Sequence, residues 1–185
     1  MTLKDGRFED DWFSFEVPTG VKIGLRSWVY SSFAFLHSSE AEVTIGNDTG
    51  IYSATNFELG PDAEVRIGDF VMIDGACIST NARVEIEDHS MIAFQAVIAD
   101  SPTAGPGHHP REGRDSNIYI GRNVWIGARS IILGGARLNE GVVVGALAVV
   151  DFEVPEFSIV AGNPARIIGT APPKPRSSDR TKGSP

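Results

Sequence analysis

Apolar residues recur at every sixth position over most of the chain. The repeat runs without a slip from residue 120 to residue 150 and continues upstream, in groups of three, to residue 23. An amphipathic helix would repeat near 3.6 residues and a half-buried strand near 2.0, so a period of six indicates short strands separated by corners. Only Ser79 is not apolar among the repeat positions, which are Ile23, Val29, Phe35, Ile45, Ile51, Phe57, Ile67, Ile73, Ser79, Ile86, Ile92, Ile98, Ile120, Ile126, Ile132, Leu138, Val144 and Val150.

Each six-residue unit predicts one strand and one corner. The residue two positions before the anchor is often apolar or small, and alternate strand residues share a face. Three units make a triangular coil, and stacked coils pair their backbones and bury a continuous core. The sequence therefore predicts an all-β parallel β-helix of about six coils. We expect the glycines that follow the anchors to supply the dihedral angles of the corners; they are Gly24, Gly46, Gly68, Gly121, Gly127 and Gly145.

The spacing between coils locates the insertions. The first anchors of successive coils are residues 23, 45, 67, 86, 120 and 138, whereas an uninterrupted coil takes 18 residues. Two early coils carry four extra residues, one carries a single extra residue, and one carries sixteen. The last surplus lies between Ile98 and Ile120 and predicts one long inserted loop over residues 99–117.

The two ends of the chain depart from the repeat. Residues 1–20 hold none, and their apolar side chains predict a cap over the open end of a helix that spans residues 21–169. Residues 151–168 leave the period and predict a C-terminal cap, whereas residues 170–185 are rich in Pro and Ser and predict a disordered tail. The expected N-terminal cap residues are Trp12, Phe13, Phe15, Val17 and Pro18.

Composition narrows the class of protein. With 42% apolar and 22% charged residues the chain is typical of a globular protein. No apolar run has the ~18 to 20 residues that span a bilayer and no secretory leader pattern is present, so we expect a cytoplasmic protein without a membrane partner. The net charge of −8 argues against nucleic-acid binding. The single cysteine, Cys77, is expected to be a small buried apolar residue.

The inserted loop is the first candidate for chemistry. It reads ADSPTAGPGHHPREGRDSN and contains two of the four histidines in the chain. Long excursions from a rigid scaffold are common places for binding and catalysis. From composition alone, however, a histidine there is either a solvent-exposed residue or a functional one.

The second half of the chain carries specific motifs. The stretch IGRNVWIGARSIILGGARLNEGVVVGALAVV, followed by VP and AGNPARIIG, resembles the hexapeptide-repeat acyltransferases, most closely the maltose/galactoside and sugar or capsule O-acetyltransferases. The resemblance covers residues 118–169 strongly. It implies a left-handed helix, a homotrimer with an active site in each cleft between subunits, acetyl-CoA as acyl donor and a small-molecule acceptor. The acceptor would be a sugar hydroxyl first and an amine second, and no metal is required.

The resemblance also implies the catalytic group. In this family the catalytic histidine precedes a proline and is followed by an arginine, which selects His109, with His108 as the second choice and Arg114 or Arg111 as the arginine. An imidazole near neutral pH suits a general base that deprotonates a hydroxyl. Asp100 and Asp115 flank the loop and could contact the histidine or the acceptor, or could be solvated.

For CoA, the resemblance places Ala128 and Ala146 against the pantetheine arm and Arg166 near the phosphates. The two alanines could also be merely small corner residues, and Arg166 a solvated surface residue. Trp125 is expected to pack at a subunit interface.

Two departures from the family pattern concern the substrates. Asp151-Phe152 stands where a Thr-Lys pair is common. An acidic residue offers no favourable contact to the CoA phosphates, so we expect the affinity or the geometry of CoA binding to differ from that of the family. Ala93 replaces an asparagine of the coil before the loop, which indicates an acceptor other than the sugars of those enzymes. Gln95 could substitute for that amide only if it faces the cleft.

Two other functions are compatible with a hexapeptide helix. A zinc hydratase of the γ-carbonic anhydrase type needs three converging histidines, and His37 and His89 are not expected to join the loop histidines. A non-catalytic scaffold would use the helix for assembly alone.

Overall fold

The computed structural model describes residues 16–52, 54–100 and 116–172, together with the backbone of residues 3–4 and 7–8. In this part of the chain twenty of the strands stack into a β-solenoid with three faces, and the helical element is one 3-10 turn, Ser32–Phe35. The predicted all-β parallel β-helix is confirmed.

The strands, labelled in chain order, divide by face. Face 1 consists of β3 (Val21–Ile23), β5 (Glu42–Ile45), β8 (Glu64–Ile67), β11 (Arg83–Ile86), β14 (Ile118–Ile120), β17 (Arg137–Leu138) and β20 (Glu153–Val154). Face 2 consists of β4 (Trp28–Val29), β6 (Gly50–Tyr52), β9 (Met72–Asp74), β12 (Met91–Ile92), β15 (Trp125–Ile126), β18 (Val143–Val144), β21 (Ser158–Ala161) and β22 (Arg166–Thr170). Face 3 consists of β7 (Asn56–Leu59), β10 (Cys77–Thr80), β13 (Val97–Ala99), β16 (Ile131–Leu133) and β19 (Val149–Val150). The short hairpin of β1 (Leu3–Lys4) and β2 (Arg7–Phe8) is antiparallel.

The six-residue anchors form columns because parallel pairing stacks equivalent residues. Ile45, Ile67, Ile86 and Ile120 follow one another in register along face 1. All four are buried, and they belong to one core that runs the length of the described solenoid. The periodic pattern therefore becomes a continuous hydrophobic column, which is the main stabilising element of such a fold.

One anchor was assigned wrongly. Ile78, not Ser79, points into the core, where it lies in register between Phe57 and Ile98. The corner at Gly75 is one residue shorter than its equivalents, which shifts the inward position by one. Cys77 consequently lies on the outer side of β10 and is half-buried, not the inward core residue that the sequence predicted.

The expected role of the anchor-following glycines is also wrong. The left-handed backbone occurs at other corner residues, most of them not glycine, such as Arg129 with φ 57°. The glycines are needed because the coils approach each other closely. A Cβ atom on Gly127 would lie 2.6 Å from the backbone nitrogen of Ala146, closer than real contacts allow.

The first coil closes without a strand on face 3. The 3-10 turn at Ser32–Phe35 takes that place, and Ser31 accepts the Phe33 N–H at 3.1 Å to begin it. Phe35 still fills its anchor position, fully buried, with its ring stacked on Phe57 at 5.1 Å between centroids. Five coils carry strands on all three faces, and this first coil makes the sixth.

At the C-terminal end the repeat continues further than the sequence indicated. Val154 and Val160 are buried and lie in register above Leu138 and Val144. Strand β22 then turns back and pairs antiparallel with β21. The segment that was expected to leave the period thus adds two more solenoid strands before it turns back.

The predicted caps are described only in part. Val17 is buried against the core, whereas Trp12, Phe13 and Phe15 lie outside the described residues. Residues 173–185 of the predicted tail also lie outside them. Within the described ranges, no helix has the length and apolar character that a membrane crossing needs.

Candidate functional site

The inserted loop leaves the solenoid at the corner between face 3 and face 1, hereafter corner 3/1. It begins after β13 and returns before β14. Residues 101–115, with His108, His109, Arg111, Arg114 and Asp115, lie outside the described residues, so their roles stay predictions. Both points where the loop joins the solenoid are described.

Asp100 holds the first of these points. Its Oδ2 accepts hydrogen bonds from the Thr80 hydroxyl at 3.0 Å and from the Asn81 backbone N–H at 2.8 Å, both in the coil before. The Asp100 backbone also lies so close to Gly134 of the next coil that a Cβ there would be 2.7 Å from its carbonyl oxygen. The hydrogen bonds of the Asp100 carboxylate are thus made with the solenoid itself.

Asn117 holds the second point. Its Oδ1 accepts the Arg83 backbone N–H at 3.0 Å, and its carbonyl oxygen accepts the Gly135 N–H at 3.0 Å. The sequence interpretation gave Asn117 no role. The available signal was a series of short polar residues at corner 3/1, since Asn81 accepts the Asp62 N–H in the same manner.

The alanines that the resemblance assigns to CoA occupy a different corner, between face 2 and face 3 (corner 2/3). Ala128 and Ala146 are equivalent residues of successive coils, joined by the hydrogen bond from Leu147 N–H to the Ala128 carbonyl at 3.1 Å. Ala128 is partly exposed and Ala146 is exposed. Their small side chains leave the backbone of this corner accessible.

Arg166 extends the same edge. It pairs with Ala161 across β21 and β22, and Ala161 lies against Gly145, the neighbour of Ala146. Adjacent strands are about 4.8 Å apart, so Arg166 follows the two alanines within a short distance along the solenoid. Its side chain is exposed, and its Nη1 donates to the Ala165 carbonyl at 2.7 Å. We call Ala128, Ala146 and Arg166 the open edge.

Gln95 lies at corner 2/3, one coil before Ala128. It is exposed, has a left-handed backbone with φ 59°, and its Oε1 accepts a hydrogen bond from Arg129 Nε at 2.9 Å. The structure therefore brings Gln95 close to the open edge. Asp151, by contrast, is exposed at corner 3/1, across face 3 from Ala146.

The histidines of the described part do not come together. His37 bridges to Glu58 beside face 3, whereas His89 lies at the corner between face 1 and face 2 (corner 1/2), its ring stacked on Phe70 at 5.0 Å. Among the described residues no three His, Cys, Asp or Glu side chains are grouped so as to hold a metal ion.

Burial, with the charge of Glu58 as a smaller cause, raises the pKa of the Cys77 thiol, which disfavours its thiolate.

An apolar stripe runs along the outside of face 2. Trp28, Met72, Met91 and Trp125 occupy equivalent outward positions in the register of this sheet. All four are exposed, Trp125 by 56%. Exposed apolar surface of this extent commonly marks an interaction site. These four residues are the face-2 stripe.

Comparison with known proteins agrees with this architecture. The family described as bacterial transferase hexapeptide (six repeats) matches residues 117–151. WbbJ of Escherichia coli K12, named for O-acetyl transfer in lipopolysaccharide biosynthesis, is 37% identical over 89 residues, which are 47% of this chain and 44% of WbbJ. The chain spans less than half the length of the curated relatives that it matches.

Two solved structures share the fold. One is AntD, an N-acyltransferase from Bacillus cereus in complex with dTDP and coenzyme A, with a TM-score of 0.59 and 22% identity, covering 81% of this chain and 86% of AntD. The other is the acetyltransferase VCA0836 from Vibrio cholerae in complex with acetyl coenzyme A, with a TM-score of 0.55 and 23% identity, covering 70% of this chain and 71% of that one. The resemblance read from the sequence is confirmed for the repeats of the second half of the chain, where residues 117–151 match the bacterial transferase hexapeptide family.

Proposed function

We propose that this protein is an acetyl-CoA-dependent acyltransferase that transfers an acetyl group to a hydroxyl of a sugar or a related small molecule. The observation that carries the proposal is the open edge, where a partly exposed alanine, an exposed alanine and an exposed arginine follow one another along one corner of the solenoid. The inserted loop, which joins the solenoid at corner 3/1, contains the two candidate histidines.

The open edge suits the acyl donor. Backbone groups beside Ala128 and Ala146 are accessible to a narrow pantetheine arm, and the Arg166 guanidinium could pair with phosphate oxygens at the end of that arm. VCA0836 and AntD, which share the fold, bind acetyl coenzyme A and coenzyme A respectively.

His109 is the proposed general base, with His108 as the alternative. The imidazole removes the proton of the acceptor hydroxyl while the oxygen attacks the thioester carbonyl. The new C–O bond forms, the C–S bond breaks, and the CoA thiolate takes the proton back from the imidazolium. General-base help of this kind contributes roughly 10² to 10⁴ in rate, and positioning of the two substrates contributes further.

Asp100 acts in this scheme as a positioning residue. Its Oδ2 is bonded to Thr80 and Asn81, so the contacts of the described residues support fixation of the loop more than contact with the acceptor. Catalytic groups need supports that are themselves fixed by hydrogen bonds. Asn117 provides the same support at the other end of the loop. Arg114 and Gln95 remain proposed acceptor contacts.

The face-2 stripe supports a homotrimer. A chain that exposes two tryptophans and two methionines in one row has a surface suited to burial against another copy. Rotational symmetry around one axis would repeat this contact in each subunit and close the assembly. We propose that the clefts formed in this way contain the active sites.

The acceptor is proposed to be a hydroxyl because WbbJ, the relative at 37% identity, is named for O-acetyl transfer. An amine is the second candidate, since AntD is an N-acyltransferase.

Thiol release from acetyl-CoA, measured with a panel of sugars and amino sugars, tests the proposal. We expect release that depends on the acceptor and a product that has gained one acetyl ester, identified by mass spectrometry. A protein that binds no CoA and releases no thiol with any acceptor would instead be a scaffold.

A further inference from the structure

A shallow depression lies on face 1 beside the point where the inserted loop returns. It has a volume of about 340 Å³, and its polar lining consists of Arg83, Glu85, Asn117, Tyr119, Arg137 and Glu153. The depression does not adjoin the open edge of the same chain, which occupies corner 2/3, so direct transfer between the two requires the open edge of a neighbouring subunit. Asn117 connects it to the loop, because this residue both lines the depression and fastens the loop to β11.

The polar groups of the depression are held in place by each other. Glu85, Tyr119, Arg137 and Glu153 stack in register on four successive strands. The Arg137 guanidinium lies 4.0 Å above the centre of the Tyr119 ring, a cation–π contact that orients its N–H donors. Glu153 accepts a hydrogen bond from Asn139 Nδ2 at 3.2 Å.

Arg83 contributes a guanidinium group with one end enclosed and the other end exposed. Its Nη2 donates to Glu85 at 2.8 Å, but its Nε is buried and has no hydrogen-bond acceptor among the described residues. The Glu64 carboxylate oxygen is 3.9 Å away from Nε, beyond hydrogen-bond range. Because Nε is enclosed by the protein, a ligand in the depression could reach Arg83 only through its other guanidinium N–H groups; the Arg83 side chain as a whole is 41% exposed.

The charges of the lining restrict the class of ligand. Two guanidinium groups and two carboxylates line the depression, so the formal charge of the lining itself is zero. Outside the lining, Glu64 lies 3.9 Å from Arg83, and Glu87 is hydrogen-bonded to Tyr119. An anion would meet two carboxylates as well as two guanidinium groups, and so would an amine, so neither gains a net attraction from the lining. Sugar hydroxyls both donate and accept hydrogen bonds, and they therefore match a surface that offers both kinds of partner.

We propose that this depression is the acceptor subsite and that it takes an uncharged saccharide. The inference rests on the proposed function and narrows it, because it selects neutral sugars over amino sugars and sugar phosphates. It also assigns Arg83, Arg137 and Glu153 to recognition of the acceptor, in addition to any group of the loop.

Direct binding to the full-length protein tests the proposal. The probes are methyl β-galactoside, methyl α-glucoside and N-acetylglucosamine, with galactosamine, glucuronate and glucose 6-phosphate as charged counterparts, followed by saturation-transfer NMR and titration calorimetry. We expect a neutral probe to bind and each charged counterpart to bind more weakly. Arg137→Gln and Glu153→Gln should each weaken binding by about tenfold, as expected for one lost hydrogen bond to a charged group.

Arg122→Gln is the matched control. Arg122 is an exposed arginine at corner 1/2, paired with Asp88 at 3.2 Å and outside the depression, so its loss should leave saccharide binding unchanged. The proposal is overturned if no neutral probe binds, if a charged probe binds best, or if Arg137→Gln and Glu153→Gln, shown to be folded by thermal unfolding, bind like the native protein.

The binding experiment needs no acetyl-CoA, so its outcome is independent of the proposed reaction. Saccharide binding without thiol release would contradict the acyltransferase but not the subsite. Thiol release with an unchanged sugar KM in Arg137→Gln would contradict the subsite but not the acyltransferase.

Discussion

The Asp100 carboxylate accepts the backbone N–H of Asn81 at 2.8 Å and so ties the start of the inserted loop to the preceding coil. The same oxygen accepts the Thr80 hydroxyl at 3.0 Å. The loop that carries the candidate base therefore departs from a fixed point at the solenoid corner.

Replacement of this carboxylate should affect both stability and rate. Asp100→Ala removes two hydrogen bonds to a charged group, and we expect the free energy of unfolding to fall by about 1.5–3 kcal/mol. Displacement of the loop should lower kcat by up to about 10²-fold, with little change in the KM for acetyl-CoA. Urea unfolding and thiol-release kinetics measure the two effects. Asp62→Ala, an exposed residue at the same corner, is the control, and an unchanged kcat in Asp100→Ala would contradict a positioning role.

Close contact between coils makes some glycines irreplaceable. In Gly127→Ala the new Cβ would meet the Ala146 nitrogen at 2.6 Å and the Val144 oxygen at 2.7 Å. We expect a loss of about 1–3 kcal/mol in the free energy of unfolding, since rigid backbone must move. Gly169→Ala, where the nearest atom is 3.9 Å away, should change stability by less than about 0.5 kcal/mol. Equal effects of the two changes in denaturant melts would argue against the close-contact explanation.

The sequence predicted the columns of the core well because parallel register repeats the same environment at each coil. The prediction failed where a corner changed length. A strict six-residue spacing selects Ser79, but the corner at Gly75 is one residue shorter, so Ile78 takes the inward position. The sequence showed where glycine recurs but not why it is needed there. The reason is close backbone contact with the next coil, whose residues lie far away in the sequence. The continuation through Val154 and Val160 was missed because the spacing changes after Val150.

Self-association through the face-2 stripe predicts a clear effect at Trp125. This side chain is 56% exposed in the single chain, and a carboxylate in its place would be costly to bury. We expect Trp125→Asp to convert a trimer to a monomer in sedimentation experiments. Phe33→Asp, on the 3-10 turn outside the stripe, should remain trimeric. A native protein that sediments as a monomer would rule out this use of the stripe.

Comparison of acetyl-CoA with acetyl-pantetheine as acyl donors separates the proposed phosphate contact of Arg166 from the proposed pantetheine contacts of the two alanines. Arg166→Gln should weaken acetyl-CoA binding by about tenfold, because one charged hydrogen bond to a phosphate is lost. Binding of acetyl-pantetheine, which lacks the nucleotide phosphates, should stay the same. Calorimetric titration of both donors measures the difference, and Arg122→Gln provides the matched arginine control. A similar loss for both donors would place Arg166 outside the phosphate site.

The candidate site was only partly accessible to sequence reasoning. The family resemblance assigned Ala128 and Ala146, one coil apart, to the same ligand, and the structure shows that Arg166 continues their edge. The fixation of the loop by Asp100 and Asn117 was not predicted. Most of their partners are backbone N–H groups of another coil, so the signal in the sequence was limited to the series of short polar residues at corner 3/1.

The proposed base is tested most directly by the two adjacent histidines. Single-turnover release of CoA thiol, with an acceptor that supports release in the native protein, is compared in His109→Ala and His108→Ala. We predict that His109→Ala lowers the rate by roughly 10²- to 10⁴-fold at unchanged acetyl-CoA affinity, whereas His108→Ala stays near the native rate. Native release in His109→Ala, or equal loss in both variants, would contradict His109 as the base.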